Sequence, residues 1–282
     1  MATAAALVTA SLGLLGEPVH AAPAAGCDTN HVYGYLRGPL EQGDALPGGT
    51  IVSLDLRNSL TQDGIVFRKQ WPEGGALGIN PTSGTHWFTT RDTHVWSAKP
   101  GGAPYNWREL SGPAEKDGFA FAKDGKGYFL VTDNAGPSVY VFPGGRPADR
   151  RRVPLSGSAS SGTSLADDPP TDLAFSGTGE AWLVTAQGRL WQVRDTTATT
   201  GWKATLFGAL PRDKSMRIEG LAFGLVDGYG TLVASGEFGD ERFIGRIHPS
   251  GEGTLAVVPA TKLSGFGGVT DLASCLFPES WD

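Results

Sequence analysis

The stretch TDLAF at residues 171–175 decides the fold, because its apolar triplet returns along the chain. The triplets are Leu77–Ile79, Phe119–Phe121, Leu173–Phe175, Leu221–Phe223 and Leu272–Ser274, at intervals of 42, 54, 48 and 51 residues. Intervals of this length fit a structural repeat of four short strands joined by loops of variable length. The chain is therefore expected to be built from repeated sheets.

Three further strands are predicted after each of the first four triplets. The second strands are His86–Thr90, Tyr128–Thr132, Ala181–Thr185 and Thr231–Ser235, and all four end in Thr or Ser. Third and fourth strands follow, as in LWQV at 190–193 and WKATL at 202–206. The runs are short, rich in β-branched and aromatic residues, and bounded by Gly, Pro, Asn and Asp, which is typical of strands.

The two ends of the chain complete each other. The last triplet has no room for three more strands before Asp282, whereas three strands at 32–36, 51–56 and 65–69 have no first strand before them. We therefore predict an all-β fold, a five-bladed β-propeller with four-stranded blades and a composite closing blade, which leaves no open sheet edge. The predicted blades of this single domain, 26–282, are 31–71 plus 268–276, 75–112, 116–157, 168–210 and 216–260.

The only two cysteines, Cys27 and Cys275, test this arrangement. Cys275 ends the first strand of the composite blade and Cys27 stands just before its second strand, so a disulfide there replaces the missing turn. An exported pair of cysteines is expected to oxidise. The alternative is that AAGC at residues 24–27 is a lipoprotein processing site with an acylated cysteine, which leaves Cys275 unpaired.

Residues 1–25 are predicted to be a signal peptide. An apolar stretch at 4–15 is followed by small residues that fit a cleavage site, although the usual basic start is missing. The apolar stretch is too short to span a bilayer, and no later segment resembles a spanning helix. We expect a secreted, extracellular protein that is a monomer.

The charge pattern disfavours nucleic-acid binding. The formal net charge is −6, and charges of both signs are interspersed except for the run Arg150–Arg152. The simplest interpretation of that run is the solvent face of an outer strand.

Motifs for catalysis are weak. The segment GSASSG at residues 157–162 is a flexible Ser/Gly-rich loop rather than a nucleophile elbow, and the five histidines lack paired metal spacing. Eight tryptophans invite a sugar-binding interpretation. Those at equivalent positions of the repeat, Trp87, Trp96, Trp182 and Trp191, are predicted to lie in the core between blades. Those on outer strands, Trp71, Trp107 and Trp202, are better candidates for a groove.

Polar residues converge on one end of the predicted channel, here called the top mouth, where first strands begin and second strands end. The predicted ligand-binding residues there are Arg91, Asp92, Asp117, Asp133, Asn134, Asp172, Gln187, Glu219, Glu237 and Asp271, with Arg37, Thr171 and Thr270 nearby. Converging carboxylates repel one another unless a cation, a basic group or a proton compensates them. Two interpretations stay open: a Ca²⁺ site at Asp172, Glu219 and Asp271, or aspartates that cap backbone amides beside a Glu219–arginine pair.

Three segments carry a family resemblance: TDLAF, EAWLVT at 180–185 and GRLWQV at 188–193. They resemble exported bacterial propellers of the broad NHL, SMP-30 and strictosidine-synthase-like group, over essentially the whole mature chain. The resemblance implies the fold and leaves the activity open. Glu219-Gly220-Leu221 also resembles the Glu-Gly stretch that opens the metal-binding set of SMP-30-like lactonases, although that family has six blades.

Three functions follow from the sequence. The leading hypothesis is an exported, non-catalytic binding propeller that uses its top face for a carbohydrate or protein ligand, with no catalytic residue. The alternative is a metal-dependent hydrolase or lactonase with a cation, Ca²⁺, in the channel. The third is a structural interaction module. No other cofactor is indicated.

Overall fold

The computed structural model describes residues 27–36, 49–58, 60–67, 74–90, 94–107, 116–143, 150–210, 216–226, 229–239, 241–251, 254–262 and 268–279. The predicted signal segment 1–25 lies outside these ranges, as do Arg37, Trp71, Arg91 and Asp92. Within them no helix has the length and apolar character needed to cross a membrane.

The described residues form an all-β structure with one short 3₁₀ helix, Leu56–Asn58. The strands of the N-terminal half are β1 His31–Leu36, β2 Ile51–Asp55, β3 Thr61–Phe67, β4 Gly74–Asn80, β5 Thr85–Thr90, β6 Val95–Ala98, β7 Tyr105–Asn106, β8 Lys116–Phe121, β9 Gly127–Asp133 and β10 Gly136–Phe142. Those of the C-terminal half are β11 Arg151–Gly157, β12 Pro170–Phe175, β13 Ala181–Thr185, β14 Arg189–Val193, β15 Trp202–Ala209, β16 Met216–Val226, β17 Tyr229–Phe238, β18 Glu241–Gly251, β19 Thr254–Lys262 and β20 Val269–Ser274.

Antiparallel pairing sorts these strands into sets of four, which we call sheet units. The first unit is β20-β1-β2-β3 and the second is β4-β5-β6-β7. The third, fourth and fifth are β8 to β11, β12 to β15 and β16 to β19 in chain order. Parallel bridges between the outer strands, β11 with β15 and β15 with β19, join the last three units into one continuous sheet.

The inner strands of the units surround a common axis. Each of β20, β4, β8, β12 and β16 contacts the next, and β16 contacts β20 again, so the contacts form a closed cycle. The apolar triplets of all these strands line one central cavity of about 20 Å³. That volume is close to the space of a single water molecule, so the described part of the channel is filled by side chains.

Buried apolar side chains explain why the units pack side by side. Within the described ranges they form five clusters, and each cluster draws its members from two adjacent units. In β13, Ala181 and Leu183 face the third unit, while Trp182 and Val184 face the fifth. The two-residue period of a strand thus supplies both interfaces, and inner strands are apolar because both of their faces are buried.

The chain ends meet in the first unit. Strand β20 pairs with β1, with Gly34 opposite Leu272 and Tyr33 opposite Ala273. The predicted Cys27–Cys275 disulfide is confirmed, with a Cα–Cα distance of 5.7 Å. It covalently closes the sheet unit where the chain itself provides no turn.

Candidate functional site

The top end of the fourth unit is held by a Thr-Asp pair. Thr171 Oγ1 lies 3.2 Å from the carbonyl oxygens of Val184 in its own unit and Ile218 in the fifth, and its hydroxyl donates to them. The Asp172 carboxyl accepts hydrogen bonds from the backbone N–H of the next residue, at 2.7 Å, and from that of Leu221. The pair therefore ties the fourth unit to the fifth.

The first unit repeats this arrangement. Thr270 Oγ1 donates to the carbonyl oxygens of Tyr35, at 3.1 Å, and of Gly75 in the second unit, at 3.2 Å. The Asp271 carboxyl accepts from the next backbone N–H, at 2.7 Å, and from Leu77 N, at 2.5 Å. Two copies of one Thr-Asp motif thus make equivalent links between adjacent units.

The two aspartates also meet each other. Both are fully buried and their carboxyl groups are hydrogen-bonded together. Burial raises the pKa of Asp172 to about 8, and burial together with the Asp172 charge raises the pKa of Asp271 well above its usual range. Two carboxylates cannot hydrogen-bond without a proton between them, so the pair holds a proton near neutral pH.

The third unit makes room for this pair with a glycine. A Cβ atom at Gly118 would lie 2.5 Å from Asp172 Oδ1, too close for any side chain. Asp172 and Asp271 thereby link the inner strands of the first, second, fourth and fifth units. Asp172 also lies against Gly118 in the inner strand of the third unit. The oxygens of the two aspartates are occupied by backbone amides and by each other, which is the amide-capping interpretation of the sequence.

Glu219 does not complete a metal site with them. Its carboxylate is largely buried and lies 3.5 Å from Arg217 Nε. Within the described ranges, no three His, Cys, Asp or Glu side chains come together as a group that could hold a metal ion. The structure therefore brings two of the three predicted Ca²⁺ ligands together, and gives the third an arginine partner.

The other predicted residues are placed as follows. Asp133 pairs with Arg152 at 2.9 Å and caps Ala135 N at 2.8 Å. Asn134 and Gln187 are exposed in turns at the top end, and Glu237 is half-buried. Asp117 lies in β8, and its side chain is outside the described part, as are Arg91 and Asp92.

A buried ion pair at the top end was not foreseen from the sequence. Arg189 Nη1 donates to Asp168 Oδ2 and to Gln187 Oε1, the latter at 2.8 Å. Thr185 Oγ1 also donates to Asp168, at 2.6 Å. This cluster fixes the approach to β12. Asp168 lies in the loop before β12, outside the strands that carry the repeat, so the repeat pattern gave no signal for it.

Of the six tryptophans in the described ranges, four are core residues, and two, Trp96 and Trp107, are half-buried. Trp87, Trp182 and Trp191 are buried, which confirms that prediction for these three. Trp202 was a candidate for a groove, but it is fully buried against Tyr128 and Phe175.

The bottom end, where first strands lead into second strands, carries two open concavities. The first, here called the aromatic pocket, has a volume of about 260 Å³. It is lined by Ser176, Glu180, Trp182, Gln192, Arg194, Phe207 and Glu279. Phe207 is 39% exposed and meets the Trp182 ring edge-to-face at 4.9 Å.

One wall of the aromatic pocket is a chain of polar side chains. Gln192 Nε2 donates to Glu180 Oε2 at 3.1 Å, and Arg194 Nε donates to Gln192 Oε1 at 3.2 Å. These contacts place a carboxylate, an amide and a guanidinium side by side in fixed order. The pocket therefore presents acceptors and donors beside aromatic rings.

The second concavity, here called the basic cleft, lies between the third and fourth units and has a volume of about 510 Å³. Its polar wall includes Lys123, Asp124, Lys126, Tyr128 and Arg151. Arg151 is the middle residue of the basic run, so the interpretation of that run as plain solvent-facing strand missed its place in a cleft.

No protein-family model matches the sequence, and no curated protein matches it. Solved structures that are similar in fold include virginiamycin B lyase from Staphylococcus aureus with quinupristin, at 14% identity over 82% of this chain and 71% of that one, with a TM-score of 0.45. A chain of the nidogen/laminin complex is similar at 13% identity over 86% and 97%, with a TM-score of 0.47. The β-propeller domain of Cps50 (Swd1) from Myceliophteria thermophila is similar at 15% identity over 81% and 87%, with a TM-score of 0.44. At these values the similarities carry no argument about activity.

Proposed function

We propose that the protein is an exported, non-catalytic binding protein with a five-bladed β-propeller fold, in which each sheet unit is one blade. The closed cycle of inner strands and the apolar clusters between adjacent units support this fold. The first unit is then the composite closing blade, sealed by the disulfide. A disulfide at the closure also supports export, since such bonds persist in oxidising compartments.

Carbohydrate is the ligand class that we propose, and the aromatic pocket carries this proposal. Sugar rings have apolar C–H faces and a rim of hydroxyl groups that both donate and accept hydrogen bonds. Phe207 offers exposed apolar ring surface, backed by the buried Trp182 ring. Glu180 and Arg194 offer an acceptor and a donor held in place by Gln192. A concave site with aromatic walls and a few fixed polar groups is typical of small-ligand binding.

The top mouth stays a second predicted ligand surface. Asn134 and Gln187 are exposed there, and Gln187 Oε1 already accepts a hydrogen bond from Arg189. Asp172 and Asp271 are buried and contribute to the mouth only through the backbone that they hold. A protein ligand is the occupant that a broad face of this kind would suit.

Binding can be tested with the predicted mature chain, residues 26–282, on an array of neutral and acidic oligosaccharides followed by calorimetry. Phe207→Ala and Gln192→Ala should each weaken binding by about tenfold, or about 1.4 kcal/mol. Phe238→Ala is the matched control, since Phe238 is 44% exposed on β17 and does not line the pocket. Loss of affinity in the control, or no saccharide binding by the wild type, would contradict the proposal.

The same samples should be assayed for released reducing ends. The aromatic pocket holds two carboxylates, Glu180 and Glu279, and glycosidases act with two carboxyl groups. We expect no release. Hydrolysis that Glu180→Gln abolishes would overturn the non-catalytic part of the proposal and leave the carbohydrate part standing.

A further inference from the structure

The basic cleft has an uncompensated positive charge. Lys126 Nζ pairs with Asp124 at 2.6 Å, and both side chains are exposed. Lys123 and Arg151 are exposed as well, and no acidic side chain of the described ranges pairs with them. Three cations and one carboxylate leave the cleft with two positive charges, in a chain whose net charge is −6.

One turn separates the basic cleft from the aromatic pocket. Residues 177–179 line the cleft, whereas Ser176 and Glu180 line the pocket. Gly179 and Glu180 are consecutive, so their Cα atoms are about 3.8 Å apart. The two concavities are therefore neighbours on the bottom end of the fourth unit.

The turn between them is firmly held. Ser176 N donates to Glu180 O at 2.9 Å, and Thr196 Oγ1 donates to Gly179 O at 2.7 Å. Gly177 N donates to Pro278 O at 2.8 Å, which anchors the turn to the C-terminal segment. A rigid ridge of this kind keeps the spacing between the two concavities constant, and preorganised sites lose less entropy on binding.

We propose that the basic cleft and the aromatic pocket are adjacent subsites for one acidic oligosaccharide. This inference rests on the proposed carbohydrate binding and names the class of saccharide. A sugar ring packs against the exposed ring of Phe207, and the carboxylate of a neighbouring uronic acid unit lies in the cleft. The planar guanidinium of Arg151 suits a carboxylate because it can donate two parallel hydrogen bonds. A cleft of about 510 Å³ has room for a whole uronic acid unit, including its carboxylate group.

The test compares a galacturonate pentamer with its methyl ester, which has the same rings without the charges. Calorimetry on the mature chain should show that the acid binds about tenfold more tightly than the ester at 50 mM NaCl, with a smaller difference at 300 mM NaCl. The variant Lys123→Gln/Arg151→Gln should bind both forms equally and keep the wild-type affinity for the ester. The matched control is Lys99→Gln/Lys203→Gln, which removes two exposed charges outside the cleft and should keep the preference.

The possible results separate this inference from the function on which it rests. If neither pentamer binds and the array is also negative, the carbohydrate proposal fails with it. If acid and ester bind equally, or if the preference survives Lys123→Gln/Arg151→Gln, the acidic subsite is wrong while carbohydrate binding stands. Displacement of the acid by inorganic phosphate at equal concentration would also overturn the inference, because it would show a site for small anions.

Discussion

The top end of the fourth unit and the basic cleft at the bottom end treat charged side chains in opposite ways. At the top, Asp172 is fully buried and its oxygens are taken by backbone amides and by Asp271. At the bottom, Lys123 and Arg151 stand at an open cleft without an acidic partner among the described side chains. The first group is saturated by the fold, and the second is available to a ligand.

This difference in burial distinguishes residues that stabilise the fold from residues that could bind a ligand. The convergence of side chains on the axis does not distinguish them. Carboxylates that converge on the axis look like a ligand site in the sequence, yet in the structure they perform the task of capping strands. A buried carboxyl with all its partners supplied contributes to specificity of the fold. An exposed cation in a concave site has no such role, so its effect should be seen in binding rather than in stability.

The largest effect is expected from removing the disulfide with Cys27→Ser/Cys275→Ser. The bond closes a loop that spans 248 residues in sequence, for which the chain-entropy model gives a stabilisation of about 5.5 kcal/mol. Saccharide affinity should fall as well, because the segment after Cys275 anchors the turn at Gly177 and provides Glu279 to the pocket. Denaturant unfolding and calorimetry measure the two effects. A stability loss below about 1 kcal/mol would show that strand pairing alone closes the ring.

Asp172→Ala should produce the next largest effect. It leaves two buried backbone N–H groups without an acceptor and removes the partner of Asp271, so we expect a loss of about 3 kcal/mol. Asp195→Ala is the matched control, since Asp195 also caps a backbone amide, at Thr197, but is exposed, so its loss should cost much less stability than the loss of Asp172. Asp172→Ala should not change saccharide affinity at the bottom end. Equal losses in the two variants would contradict the capping role of Asp172.

The pH dependence of stability tests the shared proton. The pKa of Asp172 is about 8 in the folded state and near 3.8 when unfolded, so between these values the folded state binds more protons. Stability should therefore fall as pH rises, by about 2 kcal/mol between pH 6.5 and 8. Asp172→Asn should flatten this slope, because an amide can donate to Asp271 without a titrating proton. Equal slopes in wild type and variant would exclude the shared proton.

His86 opposes this trend at lower pH. Its ring is buried between Tyr33 and Phe67, and burial lowers its pKa to about 4 from 6.5. Between pH 4 and 6.5 the unfolded state binds the extra proton, so His86 alone makes stability rise with pH. The two slopes cancel in part below pH 6.5, which is why the window above pH 6.5 isolates the aspartates. In the His86→Phe variant, stability should fall more steeply with rising pH between pH 4 and 6.5 than it does in the wild type.

Much of the fold was accessible from the sequence because a repeat multiplies its signal. The triplet led by Leu173 and the second strand Ala181–Thr185 recur, and the structure has strands at these places. The disulfide followed from the position of Cys275 at the end of its strand. Amide capping by Asp172 and Asp271 was one of two open interpretations, since the sequence shows that they converge but does not show how many N–H groups meet them.

The clefts at the bottom end were not accessible in the same way. The basic cleft combines a turn of the third unit, the start of β11 at Arg151 and two loops of the fourth unit. Their proximity depends on how two units pack side by side, and the repeat fixes the strands within a unit rather than the loops between units. Phe207 also gave no signal, because one exposed aromatic residue on an outer strand looks like any other.

The smallest effect on stability, and the sharpest contrast, is expected within the basic run itself. Arg152 pairs with Asp133 at 2.9 Å and donates to Ser138 Oγ at 3.1 Å, with both charged side chains about a third exposed. Solvent screens such a pair, so Arg152→Gln should cost less than about 1 kcal/mol and leave saccharide affinity unchanged.

Arg151→Gln should change stability by less than about 0.5 kcal/mol, because Arg151 is an exposed residue without a described acidic partner. It should nevertheless weaken binding of the galacturonate pentamer several-fold and reduce the dependence of that binding on salt. Thermal unfolding measures the stability of each variant, and calorimetry measures its affinity for the pentamer. We predict that Arg152→Gln changes only the stability and that Arg151→Gln changes only the affinity. If Arg152→Gln instead lowers the affinity and Arg151→Gln does not, the division of neighbouring arginines between fold and ligand is wrong, and the acidic unit binds on the other side of β11.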